Sequence, residues 1–198
     1  LVAQGCRPVG APMIVTSCDG NLIRELDGDL AADVIEAQVR SLSPVDRALL
    51  QESPQIGLAI DPVRSTRRRG DFLVRGLFGL DRASGAVAVG APMAEGLTLQ
   101  LQVRDRASAT RELDELLTRY QLRHADRSIE AALTFSCLGR GEAFYGESGH
   151  DTRKVKTHLG EMPIGGFFCN GEIGPIHTRT WLHGYTSAFA LFHRRGWN

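Results

Sequence analysis

Alternation and helical spacing divide the chain into short elements. Leu97, Leu99, Leu101 and Val103 alternate with Thr98, Gln100, Gln102 and Arg104, the period of a half-exposed strand. Leu113, Leu116, Leu117 and Tyr120 fall at helical spacing behind Ser108 or Thr110 as a cap, and the opposite face (Arg111, Glu112, Asp114, Glu115, Arg119) is expected to be solvated. Leu30, Val34, Ile35, Val39 and Leu42 repeat that pattern after Asp27 and Asp29 as capping candidates, and Ser43-Pro44 opens a second short helix. Met13–Thr16 and Leu22–Leu26 flank Asp19-Gly20, a pair suited to a type I′ hairpin turn. The segments 55–60, 71–79, 129–137, 163–169 and 181–193 are apolar over most of their length and read as buried strands, with 86–89 a shorter one and 142–159 a polar helix or loop. The fold class expected is α+β: a mixed, largely antiparallel sheet with helices packed on it and some strand–helix–strand units, in one domain over 1–198 with a weak sub-boundary near Asp105.

Composition narrows the function classes. Residues 1–198 carry 23 Lys+Arg against 23 Asp+Glu, so the formal net charge is zero and the clustered cations of a nucleic-acid binder are missing. Lys154 and Lys156 are the only lysines, which reads as a compositional bias toward Arg, and Arg67-Arg68-Arg69 reads as a solvated loop. No apolar run reaches the roughly 20 residues that span a bilayer, and LVAQGCRPVGAP shows no secretory pattern, so no membrane insertion and a cytoplasmic location are expected. Cys6, Cys18, Cys137 and Cys169 never form C-x-x-C and are expected to be free thiols.

Glycine is concentrated where chemistry is most plausible. Nine of the 36 residues from Gly139 to Gly174 are Gly. Two apolar strands end there in glycine turns, FSCLGRG (Phe135–Gly141) and FFCNGE (Phe167–Glu172). Ligand crevices form outside strand ends of this kind. Main-chain N–H groups around Gly139, Arg140 and Gly141 suit a carboxylate. Glu172, with Asn170 and Gly171, suits an ammonium, and His183 and Tyr185 follow in the closing strand. These eight residues are the candidate ligand site, and the complement they offer fits an amino acid. Competing readings are a Cys137 or Cys169 nucleophile paired with His177 or His183, and a metal held by Cys169, His177 and His183. Structurally, Glu172 could simply hold its turn, His183 could sit satisfied in the core, Phe167, Phe168, Phe189 and Phe192 read as core, and Arg75 and Arg104-Asp105 as internal ion pairs.

GFFCNGEIGP (Gly166–Pro175), LHGYTSAFALF (Leu182–Phe192) and FSCLGRG together resemble the C-terminal part of the FIST domain, the family named for F-box and intracellular signal transduction proteins. QGCRPVGAP (Gln4–Pro12), GDFLVRGLFGLD (Gly70–Asp81) and LQVRD (Leu101–Asp105) resemble its earlier segments in the same order. The resemblance implies a sensory module that binds a small molecule such as an amino acid and relays the signal to an output protein or domain. It also implies that the N-terminal half of the family's domain is absent and that the chain is part of a longer protein. No catalytic residues, cofactor or metal are assigned. The alternatives are a protein-interaction scaffold with no small ligand, and a thiol-dependent enzyme.

Overall fold

The computed structural model describes residues 1–61, 67, 69–176 and 178–194. In chain order the elements are β1 (Val2–Ala3), β2 (Cys6–Asp19), β3 (Leu22–Leu26), β4 (Asp29–Leu30), α1 (Ala31–Ser41), α2 (Pro44–Glu52), β5 (Gln55–Ala59), β6 (Phe72–Asp81), β7 (Ala86–Val89), β8 (Thr98–Arg104), α3 (Arg106–Arg123), β9 (Ile129–Cys137), a 3-10 turn (Leu138–Arg140), α4 (Glu142–Tyr145), α5 (His150–Leu159), β10 (Ile164–Cys169), β11 (Glu172–Ile176), β12 (Arg179–His183) and β13 (Ser187–His193). The fold is α+β and largely antiparallel. Residue contacts divide it into two compact units, Cys6–Asp105 and Leu1–Gly5 with Arg106–Asn198.

In the Cys6–Asp105 unit, strand order β2-β8-β5-β6-β7-β3-β4 is closed by a further β2–β3 pairing. Two long strands make the closure. β2 pairs with β8 through its first part and with β3 through its last, and β6 passes from β5 to β7 near Gly76. Met13, Ile23, Leu26, Ile56, Phe72, Leu99 and Leu101 fill the interior. The alternating strand is β8, but its polar face is not in water: Gln102 is 1% exposed, lying opposite the fully buried Gln55 on β5. A strand wrapped into a closed layer loses its wet face. The hairpin turn falls one residue later than expected, on Gly20-Asn21 between the paired Asp19 and Leu22, with Gly20 at φ +58. Asp27 and Asp29 do not cap α1; Asp27 accepts the Ile14 amide instead, whereas Ser43 caps α2 through the Asp46 amide ahead of Pro44 as expected. Arg67 and Arg69 are half-buried, not solvated, and Arg68 lies outside the described residues.

The other unit carries the sheet β1-β13-β9-β10, in which β9 and β10 run parallel and the other pairs antiparallel, together with the hairpin β11–β12. Its core is Ala3, Leu113, Leu117, Ala132, Val155, Met162 and Phe189, from the sheet, α3, α5 and the connection between α5 and β10. The helix expected behind Ser108 or Thr110 begins earlier, at Arg106, and its supposedly wet Glu112 is buried, accepting the Gln4 and Gly5 amides at 3.0 and 2.6 Å. The segment 181–193 is two strands with a break at Gly184–Thr186, and the polar stretch after Gly171 is itself a strand, β11. Phe189 is core; Phe167, Phe168 and Phe192 are 63%, 56% and 49% exposed, so three of the four expected core phenylalanines face solvent.

Candidate functional site

The two glycine turns do leave the same end of one sheet. β9 and β10 are parallel neighbours from Ile164 opposite Ala132 to Cys169 opposite Cys137. This close pairing requires Gly166, because a Cβ there would lie 1.9 Å from the Thr134 carbonyl oxygen. Beyond the β9 end, the chain makes a 3-10 turn that brings Arg140 back into the interior, then α4 and α5 carry it to β10.

Arg140 meets Asp151 in the first turn of α5. Its Nε donates to Oδ2 at 2.8 Å and its Nη2 to Oδ1 at 3.1 Å, a two-pronged pair with both residues buried. His150 Nδ1 lies 3.0 Å from Oδ1 and Ser187 Oγ donates to Oδ2 at 2.5 Å. Burial alone would raise the Asp151 pKa, but the hydrogen bond from His150 and the charge and hydrogen bonds of Arg140 and Ser187 hold the carboxyl well below the usual carboxylate range. The carboxylate therefore only accepts, which makes His150 Nδ1 a donor, and Nε2 lies within hydrogen-bond reach of the Thr110 hydroxyl at 3.0 Å. The His150 ring stacks on Tyr145 with centroids 3.6 Å apart.

The same reasoning orients a chain of hydroxyls. Ser187 spends its proton on Asp151, so Ser136, 2.7 Å away, donates to Ser187; Thr134, 3.3 Å from Ser136, then donates to Ser136. The remaining lone pairs of Thr134 and Ser136 are acceptors. A cavity of about 260 Å³ opens over these groups, lined by Thr134, Ser136, Arg140, Gly141, His150–Thr152, Ile164, Gly165-Gly166, Phe167 and Phe168. It joins the start of α5, whose dipole favours negative charge, to acceptor oxygens and an aromatic wall. A wider groove of about 860 Å³ beside α1 is lined by the exposed Asp27, Asp29 and Asp33 and contains no buried ionisable side chain.

Of the eight candidate residues, Arg140 and Gly141 line the cavity, and Gly139 lies in the turn that carries them. Asn170 is exposed. Glu172 and His183 face each other across β11–β12 and hold the hairpin. Glu172 accepts from the Thr186 amide (3.2 Å), the Gly171 amide (3.3 Å) and the Cys169 thiol (3.4 Å), and burial raises its pKa against those bonds. His183 Nε2 donates to the Gly174 carbonyl at 2.9 Å. Tyr185 takes φ +61 in the break before β13. The Cys169 thiol donates to Glu172, and burial pushes its pKa up, so it is not an activated nucleophile. His177 lies outside the described residues. Among the described residues no group of three or more His, Cys, Asp or Glu is placed to hold a metal, and no helix is long and apolar enough to cross a membrane. Sequence reading passed over His150, Asp151 and Ser187; an acidic residue directly after Gly149-His150 at a helix start was the available signal.

Fold and cavity define an α+β protein built from a closed antiparallel β unit and a mixed-sheet unit with a polar pocket at its strand ends. Residues 31–175 match the FIST C domain and residues 1–29 the FIST N domain, and the chain belongs to the FIST domain family. FIST domains are associated with sensory roles in signal transduction. The chain is 42% identical over 192 residues to Uncharacterized protein Mb0898c of Mycobacterium bovis, covering 97% of this chain and 50% of that protein. It is 38% identical, over the same shares, to Uncharacterized protein MT0656 of Mycobacterium tuberculosis. The chain thus spans about half the length of the curated relatives it matches.

Proposed function

We propose that this chain is a cytoplasmic sensory module that binds an amino acid or a similar small zwitterionic metabolite and relays occupancy to an output partner. The observation that carries the reading is the cavity at the β9 and β10 ends, where acceptor oxygens of Thr134 and Ser136 and the N-terminal turn of α5 lie on walls shared with Phe167 and Phe168. An ammonium suits the hydroxyl acceptors, a carboxylate suits the helix start, and an apolar side chain suits the aromatic wall. Arg140, Gly141, Ser136 and Thr152 are the contacts, whereas Glu172 and His183 act by holding the neighbouring hairpin. Binding changes the output only by favouring one arrangement of these loops over another, through differential affinity. Calorimetric titration with each of the common amino acids is expected to give saturable binding for a subset. Heat of dilution alone across the whole set rejects the reading.

A second reading, an interaction scaffold, is favoured by a different observation. Leu138, Phe167, Phe168, Ile173 and Leu182 are all large apolar residues more than half exposed in one unit. Ile173→Ser with Leu182→Ser, neither of which lines the cavity, should then abolish partner capture, and undiminished capture would reject it.

A further inference from the structure

The strand register that creates the pocket also pairs two thiols. Cys169 is the residue directly opposite Cys137 on parallel strands, each the last residue of its strand. Residues paired in this way project from the same face of the sheet, and two positions earlier the Phe135 and Phe167 rings, equally opposed, meet edge to face with centroids 5.3 Å apart. Neighbouring strands lie about 4.8 Å apart, inside the roughly 4.4–6.8 Å between α-carbons that a disulfide spans. The other two cysteines have no such arrangement: Cys6 donates to Gln55, and Cys18 lies opposite Ile23. All four are free thiols.

We propose that Cys137 and Cys169 form a reversible cross-strand disulfide under peroxide, an oxidative modification site at the base of both glycine turns. Cys169 is half-buried and Cys137 buried, so oxidant reaches Cys169 first. Its sulfur, as thiolate, attacks one oxygen of hydrogen peroxide; the O–O bond breaks, and the departing hydroxide takes up a proton as water, leaving a sulfenic acid. The Cys137 thiolate attacks that sulfur, the S–S bond forms, the S–O bond breaks, and a second water leaves. Two thiols have lost two electrons and two protons, and one peroxide has been reduced to two waters. The product joins the strands at their last pair and removes the S–H donor that Cys169 gives Glu172. A bond between adjacent strands near solvent belongs with the labile, regulatory disulfides rather than the structural ones. Burial and the Glu172 carboxylate push the Cys169 pKa up, so attack runs through a small thiolate fraction and the oxidation is slow.

The test is peptide mapping of the folded chain after hydrogen peroxide, alkylation and trypsin without reduction. The expected product is a single cross-link joining residues 128–140 to residues 157–179, with two of the four thiols lost and both regained on adding dithiothreitol. Cys137→Ser should lose the cross-link and leave Cys169 as a sulfenic acid trapped by dimedone; Cys169→Ser should leave Cys137 unreactive. A cross-link involving Cys6 or Cys18, a disulfide between chains, or Cys169 oxidised to sulfinic acid while Cys137 remains a free thiol would overturn it.

Discussion

The turn after β9 and the turn after β10 begin side by side, one at Cys137 and the other at Cys169, and both bury an ionisable side chain, yet they do opposite work. The first buries a cation and matches it to an anion: Arg140 and Asp151 share two hydrogen bonds, and His150 and Ser187 occupy the rest of the carboxylate. The second buries an anion, Glu172, against main-chain amides and a thiol, with no ion pair among the described residues and only the more distant charge of Arg140 favouring ionisation. As a result Asp151 is held far below the usual carboxylate range while Glu172 is pushed above it. A buried carboxylate beside a fixed guanidinium keeps its charge and orders the hydroxyls around a cavity. One satisfied by its own loop serves the loop.

The largest effect expected comes from breaking the first turn. Arg140→Ala leaves Asp151 buried without its cation and should cost about 3–5 kcal/mol in urea unfolding. A loss below about 1 kcal/mol would mean that the pair is not the hub of the pocket. The pH dependence has a definite sign. The Asp151 pKa is depressed on folding, so its contribution is present above the unfolded value, about 3.9, and disappears as the pH falls toward the lower folded value. Asp151→Asn should flatten this acid limb of the stability curve.

The second turn should respond less and with the opposite sign. Glu172→Gln keeps the shape but offers one acceptor oxygen where the carboxylate offers two, so one of the Thr186 and Gly171 bonds is lost, at about 1 kcal/mol. The folded pKa of Glu172 is raised, so the wild type loses stability as the pH climbs from the ordinary value of 4.5 toward the folded one, and the variant does not. The cost of the substitution should therefore shrink as pH rises over that interval. A cost that grows with pH would mean that Glu172 is stabilised as an anion, and the contrast with Asp151 would vanish.

How much of this was visible in sequence follows from the range of the interactions. Ser43-Pro44 marks its helix, and Ile129–Cys137 is a strand to the residue, because capping and apolar runs are local. The two glycine turns stood out for the same reason. What pairs with Arg140 did not, since Asp151 reaches it only after the 3-10 turn and α4 double the chain back, and Ser187 arrives from β13. Glu112 looked solvated on its helix because helical spacing alone cannot show that Gln4 and Gly5, more than 100 residues earlier, present their amides to it. β8 failed in the complementary way: its alternation was real, but closure of the β unit covered both faces.

The smallest expected change in stability carries the sharpest functional contrast. Gly141 lines the cavity in an extended conformation, φ −83 and ψ −166, open to any residue, and a Cβ there would meet the Leu138 carbonyl oxygen at 3.7 Å and the Phe168 ring at 3.8 Å, both ordinary contacts. Gly141→Leu should therefore alter unfolding by no more than about 0.5 kcal/mol. Its side chain would project beside Phe168 and fill a large share of a cavity of about 260 Å³, in direct competition with a bound amino acid. Amino-acid affinity measured by calorimetry should fall tenfold or more. Gly171→Ala in the second turn, which does not border the cavity, should leave affinity unchanged despite the strain of its φ of +138. Equal loss in the two variants would move the ligand into the space between the turns, and loss in Gly171→Ala alone would transfer the site to the Glu172 side.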